Sequence, residues 1–166
     1  MKYKLLVLDI DGTVTNSKKQ ITEKTRNAIL ELQKSGIPVA IASGRAPQGI
    51  YSVAKALELD KFGSYIMPFN GARIINFKTE ECIYSKTLPL HLPARLWRDA
   101  VENGIGIVTY DEKEVIAGTE LDKYILLEAK IAGMPVVYHE NFNTYVDFPV
   151  NKCLICLLYT SDAATN

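Results

Sequence analysis

The sequence predicts an α/β protein with a parallel sheet over residues 1–84, followed by an α+β segment over residues 85–156. Three observations carry this. Continuous apolar runs at residues 5–8 and 37–42 have the character of strands covered on both faces in a parallel sheet. Between and after these runs, apolar residues recur three and four apart, as on one face of a helix. Beyond Asn70-Gly71 the pattern changes to short strand pairs around polar turns.

The elements follow in order. Residues 5–8 form the first strand. Thr22 is placed to cap a helix whose buried face reads Thr25, Ala28, Ile29 and Leu32, and Gly36 supplies a left-handed end. Residues 37–42 form the second strand. Ile50, Val53, Ala54 and Leu57 mark the next helix, and residues 65–68 a third strand. This alternation predicts parallel strands joined by right-handed crossovers. Residues 72–77 and 82–87 then read as a hairpin about Lys78-Thr79-Glu80-Glu81. Pro93 opens a helix carrying Leu96, Trp97, Ala100 and Val101, which Gly104 closes. Residues 105–110 and 114–117 form a second strand pair, residues 120–132 a helix ending at Gly133, and residues 136–138 a further strand.

Composition narrows the function classes. With 166 residues, 48% hydrophobic and 23% charged, the chain is of the globular kind. Lys+Arg and Asp+Glu are both 19, so there is no overall positive field for nucleic acid. Asp9 and Asp11 cut short the first apolar run, and no run reaches the length of a membrane helix. A cytoplasmic protein with neither a nucleic-acid nor a membrane partner is expected, its oligomeric state left open. Three cysteines suit a reducing compartment, and the Cys153/Cys156 spacing, set among Leu and Ile, reads as strand packing.

The chemistry concentrates in three polar clusters at three strand ends: Asp9 to Thr13, Ser43 to Arg45, and Asn70-Gly71. Ligands of open α/β sheets bind beyond the carboxyl ends of the strands, so these loops can meet around one ligand. In the first cluster, one carboxylate can attack phosphorus while a second, two residues on, moves the proton. Two carboxylates repel a phosphate dianion unless a hard cation intervenes, which points to Mg²⁺. Gly12 lets backbone N–H groups close on an anion, although Asp11-Gly12 is also an ordinary turn pair. Ser43 and Gly44 can hold phosphate oxygens, or Ser43 can cap the following helix. Arg45 can meet phosphate or form a surface ion pair.

Asp9-Ile10-Asp11-Gly12-Thr13 matches the DxDGT signature of the haloacid dehalogenase (HAD) superfamily of phosphatases. Ser43-Gly44-Arg45 resembles its second motif, and Asn70-Gly71-Ala72 resembles the NGA segment of the Cof-type sugar-phosphatase branch. The resemblance implies a Rossmann-like core over 1–84 and an inserted α+β cap over 85–156, both incomplete. It makes Asp9 the nucleophile and Asp11 the general acid/base. Asp9 and the Asp11 carbonyl would hold Mg²⁺, and Gly12, Thr13, Ser43, Gly44, Arg45, Asn70 and Gly71 would face a small phosphorylated metabolite such as a sugar phosphate. The family also uses a lysine beside the phosphate and a late Gly-Asp motif, and no Gly-Asp dipeptide occurs here. The expectation is a C-terminally truncated chain with a foreign tail at residues 157–166, poorly stable and almost inactive alone. Two rival readings are a phospho-aspartate receiver domain, whose acidic pair precedes its acceptor strand, and a non-catalytic binding or regulatory fragment.

Overall fold

The computed structural model describes residues 3–156, so the expected tail at 157–166 lies outside the described residues. The chain forms two compact units, Met1–Lys86 and Thr87–Asn166. The first contains β1 (Leu6–Asp9), α1 (Glu23–Lys34), β2 (Val39–Ala42), α2 (Gln48–Ala56), α3 (Leu59–Phe62), β3 (Tyr65–Met67), β4 (Arg73–Asn76) and β5 (Cys82–Ser85). Its sheet runs β1-β2-β3-β4-β5. The three strands that alternate with helices are parallel, as expected, but β4 and β5 join them antiparallel, so the sheet is mixed. Register aligns Asp9 with Ala42, and Ala42 with Met67. The three loops that follow these residues therefore leave one edge of the sheet side by side.

The core explains the elements. Ile41, Ile50, Leu57, Leu59 and Ile66 are fully buried, each side chain contributing about 1.5–3 kcal/mol of apolar burial. Thr22 caps α1 by accepting the Thr25 N–H at 3.2 Å, and Gly36 follows the helix at φ +87°, both as the sequence indicates. The buried face of α1 is displaced from the expected one: Ile29, Leu30 and Gln33 are inside and Ala28 is exposed. The cause is a buried polar cluster. The Gln33 amide donates to the Leu57 carbonyl at 2.8 Å and accepts from Ser64 Oγ at 2.7 Å, while Ser64 Oγ accepts the Val39 N–H. A buried amide satisfied on both sides costs little and fixes the helix against β2.

One expectation is corrected. Residues 5–8 read as a strand covered on both faces, but among the described residues β1 lies at the edge of its sheet, and Val7 within it and Leu5 before it are 49% and 46% exposed. Open N–H and C=O groups beside exposed apolar side chains favour edge-to-edge pairing. Val7→Lys is expected to reduce self-association severalfold in sedimentation or light scattering. Unchanged association would place the sticky surface elsewhere.

The second unit contains α4 (Leu92–Glu102), β6 (Gly106–Tyr110), β7 (Val115–Ala117), α5 (Lys123–Ala132), β8 (Val136–Tyr138), α6 (Phe142–Tyr145) and β9 (Leu154–Cys156). Its sheet order is β8-β7-β6-β9, with β8 parallel to β7 and the other pairs antiparallel. Asp111 Oδ1 accepts the Lys113 and Glu114 N–H groups, closing the β6–β7 turn. Asp122 caps α5, and Gly133 ends it at φ +66°. Cys153 packs against the cluster of Ile116, Phe142, Val146 and Val150, and burial pushes its thiol pKa up. No described helix is long and apolar enough to cross a membrane.

Candidate active site

The first loop is held by what it buries. Ile10 and Val14 are inserted into the core, leaving Asp9, Asp11, Gly12 and Thr13 exposed between and beside them. The Ile10 carbonyl accepts the Thr15 N–H and Oγ1, each at 2.9 Å, and the Gly12 N–H donates to the Thr15 carbonyl at 3.1 Å. Gly12 sits at φ +81°, a conformation that other residues adopt only with strain. The loop is thus a tight turn whose polar side chains point away from its anchors.

The second and third loops are tied together through their backbones. The Ser43 N–H donates to the Met67 carbonyl at 3.0 Å, and the Ser43 carbonyl accepts the Asn70 N–H at 2.9 Å. The Phe69 N–H donates to the Arg45 carbonyl at 3.0 Å. Phe69, Asn70 and Gly71 form a consecutive left-handed run at φ +53°, +56° and +83°. Each non-glycine member costs about 1–2 kcal/mol, a strain sustained by the buried Phe69 ring and these bonds. Ser43 does not cap α2. Its buried Oγ accepts the Arg45 N–H at 3.3 Å, and Pro47 begins the helix without a side-chain cap.

Gly44 is required by proximity. A Cβ there would lie 2.8 Å from Asn70 Oδ1. Gly44→Ala is expected to push the Asn70 amide aside and cost the first unit about 1 kcal/mol. A proton–nitrogen correlation spectrum reads the displacement, and unshifted Asn70 signals would show that the loops have slack.

Arg45 joins the second loop to the first. Its Nη2 donates to both Asp11 carboxylate oxygens, at 3.0 and 2.9 Å, and its Nη1 to the Gly49 carbonyl at 3.2 Å. Lys19 Nζ reaches Asp11 Oδ1 at 2.8 Å. Lys19, with Arg45 beside it, holds the Asp11 carboxyl below the usual carboxylate range. A depressed carboxyl stabilises the fold fully above its unfolded pKa, and that contribution is lost as pH falls through the folded value. Asp11 is 41% exposed, so solvent screening keeps this contribution small. Lys19 carries no signal in the sequence. It reaches Asp11 because Asn16 Oδ1 accepts the Lys18 and Gln20 N–H groups, folding the chain back with Lys19 at φ +58°.

All three polar clusters thus lie at one sheet edge, and the Asp11–Arg45 pair bridges two of them. The Asp9 carboxylate has no partner among the described residues, nor does the Asp11 main-chain carbonyl accept a described hydrogen bond. These are two hard oxygen donors beside an exposed turn, a set that fits Mg²⁺ completed by water and phosphate. Among the described residues no group of three or more His, Cys, Asp or Glu side chains gathers into a fuller metal cage. The Lys152 ammonium lies over the Tyr110 ring of the second unit at 5.6 Å, and His139 stacks on Tyr145 and meets Glu114.

Comparison with known proteins places this geometry in context. The family model for haloacid dehalogenase-like hydrolases matches residues 6–165. The Bacillus subtilis phosphatase YwpJ is 35% identical over 71 residues, 43% of this chain and 24% of YwpJ. A crystal structure of a haloacid dehalogenase-like hydrolase from Bacteroides thetaiotaomicron superposes with a TM-score of 0.83 at 40% identity, covering 93% of this chain and 58% of that one. The sugar phosphatase BT4131, of HAD subclass IIB, shares the fold with a TM-score of 0.69 at 21% identity, covering 89% and 56%. The chain spans about half the length of the curated relatives it matches over most of its own length.

Proposed function

The chain belongs to the family of haloacid dehalogenase-like hydrolases, and we propose that it carries the nucleophile half of a Mg²⁺-dependent phosphomonoesterase acting on small phosphorylated metabolites of the sugar-phosphate kind. The observation that carries this reading is the free Asp9 carboxylate at the end of β1, two residues before a carboxylate held by two cations.

In the first step an Asp9 oxygen attacks phosphorus, the bond from phosphorus to the leaving oxygen breaks, and Asp11 gives that oxygen a proton. In the second, water attacks the aspartyl-phosphate, Asp11 takes its proton, and the Asp9–phosphorus bond breaks. The resting Asp11, held ionised by Lys19 and Arg45, is ready for the second step. An arriving phosphate dianion raises its proton affinity for the first by like-charge repulsion and by competing for Arg45. Mg²⁺, held by Asp9 and the Asp11 carbonyl, would supply charge neutralisation at the phosphoryl oxygens. The exposed Gly12 turn leaves room for the phosphate and Thr13 offers it a hydroxyl, Ser43 and Gly44 line its far side, and Asn70-Gly71 stand beside the substrate.

This set includes no lysine dedicated to phosphate and no third metal carboxylate. Removing such partners costs powers of ten in rate, so slow turnover by the 166-residue chain is expected. A cytoplasmic setting suits such substrates. The test is hydrolysis of an aryl phosphate and a panel of sugar phosphates with Mg²⁺ and with a chelator. Slow turnover that stops on chelation supports the reading, and turnover indifferent to Mg²⁺ overturns it. Binding of phosphate analogues with no turnover at all would favour a binding or regulatory fragment.

A further inference from the structure

The second unit carries an open cleft of about 710 Å³, within the range of small-molecule sites, whose lining includes none of Asp9, Asp11, Ser43, Arg45 and Asn70. Trp97 of α4 forms one wall and Tyr138, at the end of β8, another. The indole is fixed in place. Its Nε1 donates to the Gly118 carbonyl at 2.7 Å, and a Cβ on Gly118 would meet Trp97 at 2.7 Å and the Phe142 ring at 2.8 Å. An aromatic wall held this way costs little to order when a ligand arrives.

The charge around this wall has one sign. Glu120, Asp122 and Glu140 line the cleft, and among the described residues no Lys, Arg or His does. Asp122 is held in place by accepting the Tyr124 and Ile125 N–H groups, which also neutralises the start of α5. Glu120 and Glu140 have no described partner. Such a cleft repels phosphate and other anions. It offers a cation carboxylate oxygens and aromatic faces together, the combination that binds alkylammonium groups. The carboxylates come from two separate connections, β7 to α5 and β8 to α6, so a ligand with more than one cationic centre can meet both.

We propose that this cleft binds an aliphatic polyamine, its apolar methylenes against Trp97 and Tyr138 and its ammonium groups on Glu120, Asp122 and Glu140. Trp97 is the only tryptophan in the sequence, so its emission reports on the site directly. Spermidine added to the full chain at physiological ionic strength is expected to change that emission saturably, with calorimetry confirming binding. The double variant Glu120→Gln/Glu140→Gln is expected to bind at least tenfold more weakly, since it removes two of the three carboxylates that meet the ammonium groups. A control double variant on α1, Glu23→Gln/Glu31→Gln, makes the same change in net charge and is expected to bind as the parent does. Melting curves of both variants verify folding. Absence of saturable binding by either method overturns the proposal. So does equal weakening in both double variants, which would mean diffuse counterion attraction, or glucose binding as tightly as spermidine, which would mean a polyol site.

Discussion

Asp9→Asn is expected to abolish formation of the phosphoryl-protein and to lower Mg²⁺-dependent turnover by roughly three powers of ten or more. The amide is nearly the same size, and Asp9 makes no described contact through its carboxylate, so the fold should be unaffected. What the substitution removes is a negatively charged oxygen with a free lone pair. Of the two carboxylates at this sheet edge, Asp11 is held by Lys19 and Arg45, whereas Asp9 has no described partner and keeps its oxygens available to attack phosphorus. Acid quenching followed by borohydride reduction and peptide mass mapping traps the intermediate on one residue. A phosphorylated Asp9→Asn variant, or a label mapped to Asp11, would overturn the assignment.

Asp11→Asn separates the two roles. With an aryl phosphate, whose leaving group departs without a proton, the first step should survive and the second should stall. The phosphoryl-protein is then expected to accumulate, in contrast with its absence in Asp9→Asn. An Asp11 that served only to fix Arg45 and Lys19 would instead lower both steps together, because the loop at Ser43–Arg45 would lose its tie to the first loop. The two carboxylates are thereby distinguished by what builds up, not only by loss of rate. A receiver-type domain would place the stable phosphoryl group beyond an acidic pair at an earlier strand, whereas here the pair itself ends β1.

The placement of the candidate site at one sheet edge is the legible part of this sequence. Asp9 and Asp11 announce themselves because carboxylates directly after an apolar strand have no packing reason to be there. Gly36, Gly104 and Gly133 ended their helices as expected, since left-handed closure is decided by local backbone freedom. Long-range pairing was the illegible part. Lys19 lies eight residues from Asp11, and only the Asn16 turn brings it back. The inward turn of α1 toward Gln33 depends on Ser64, 31 residues away, so a periodicity rule that counts only apolar side chains rotates the face. The exposure of β1 fails for a similar reason. An apolar run says that a strand prefers cover, not which other strands stand beside it.

The largest stability effect is expected in the second unit, at Phe142. Its ring is fully buried and forms the centre of a cluster with Ile116, Val146 and Val150, against which Leu88, Trp97 and Phe148 are packed. The approach of Gly118 to both Phe142 and Trp97 leaves no room for neighbouring groups to slide into a void, because the backbone there is already in contact with the rings. Phe142→Ala therefore leaves a cavity that does not collapse, and the expected cost is about 3–5 kcal/mol. For a unit of this size that is a large share of the whole folding free energy. Denaturant unfolding followed by Trp97 emission should show a much lower midpoint, whereas Phe142→Leu, which refills most of the volume, should recover more than half of the loss. A midpoint shift worth less than about 1 kcal/mol for the alanine variant would mean that α6 carries little of the unit's stability. The core would then be held by α4 and α5 against the sheet, with the Trp97–Gly118 hydrogen bond rather than the Phe142 ring fixing the indole.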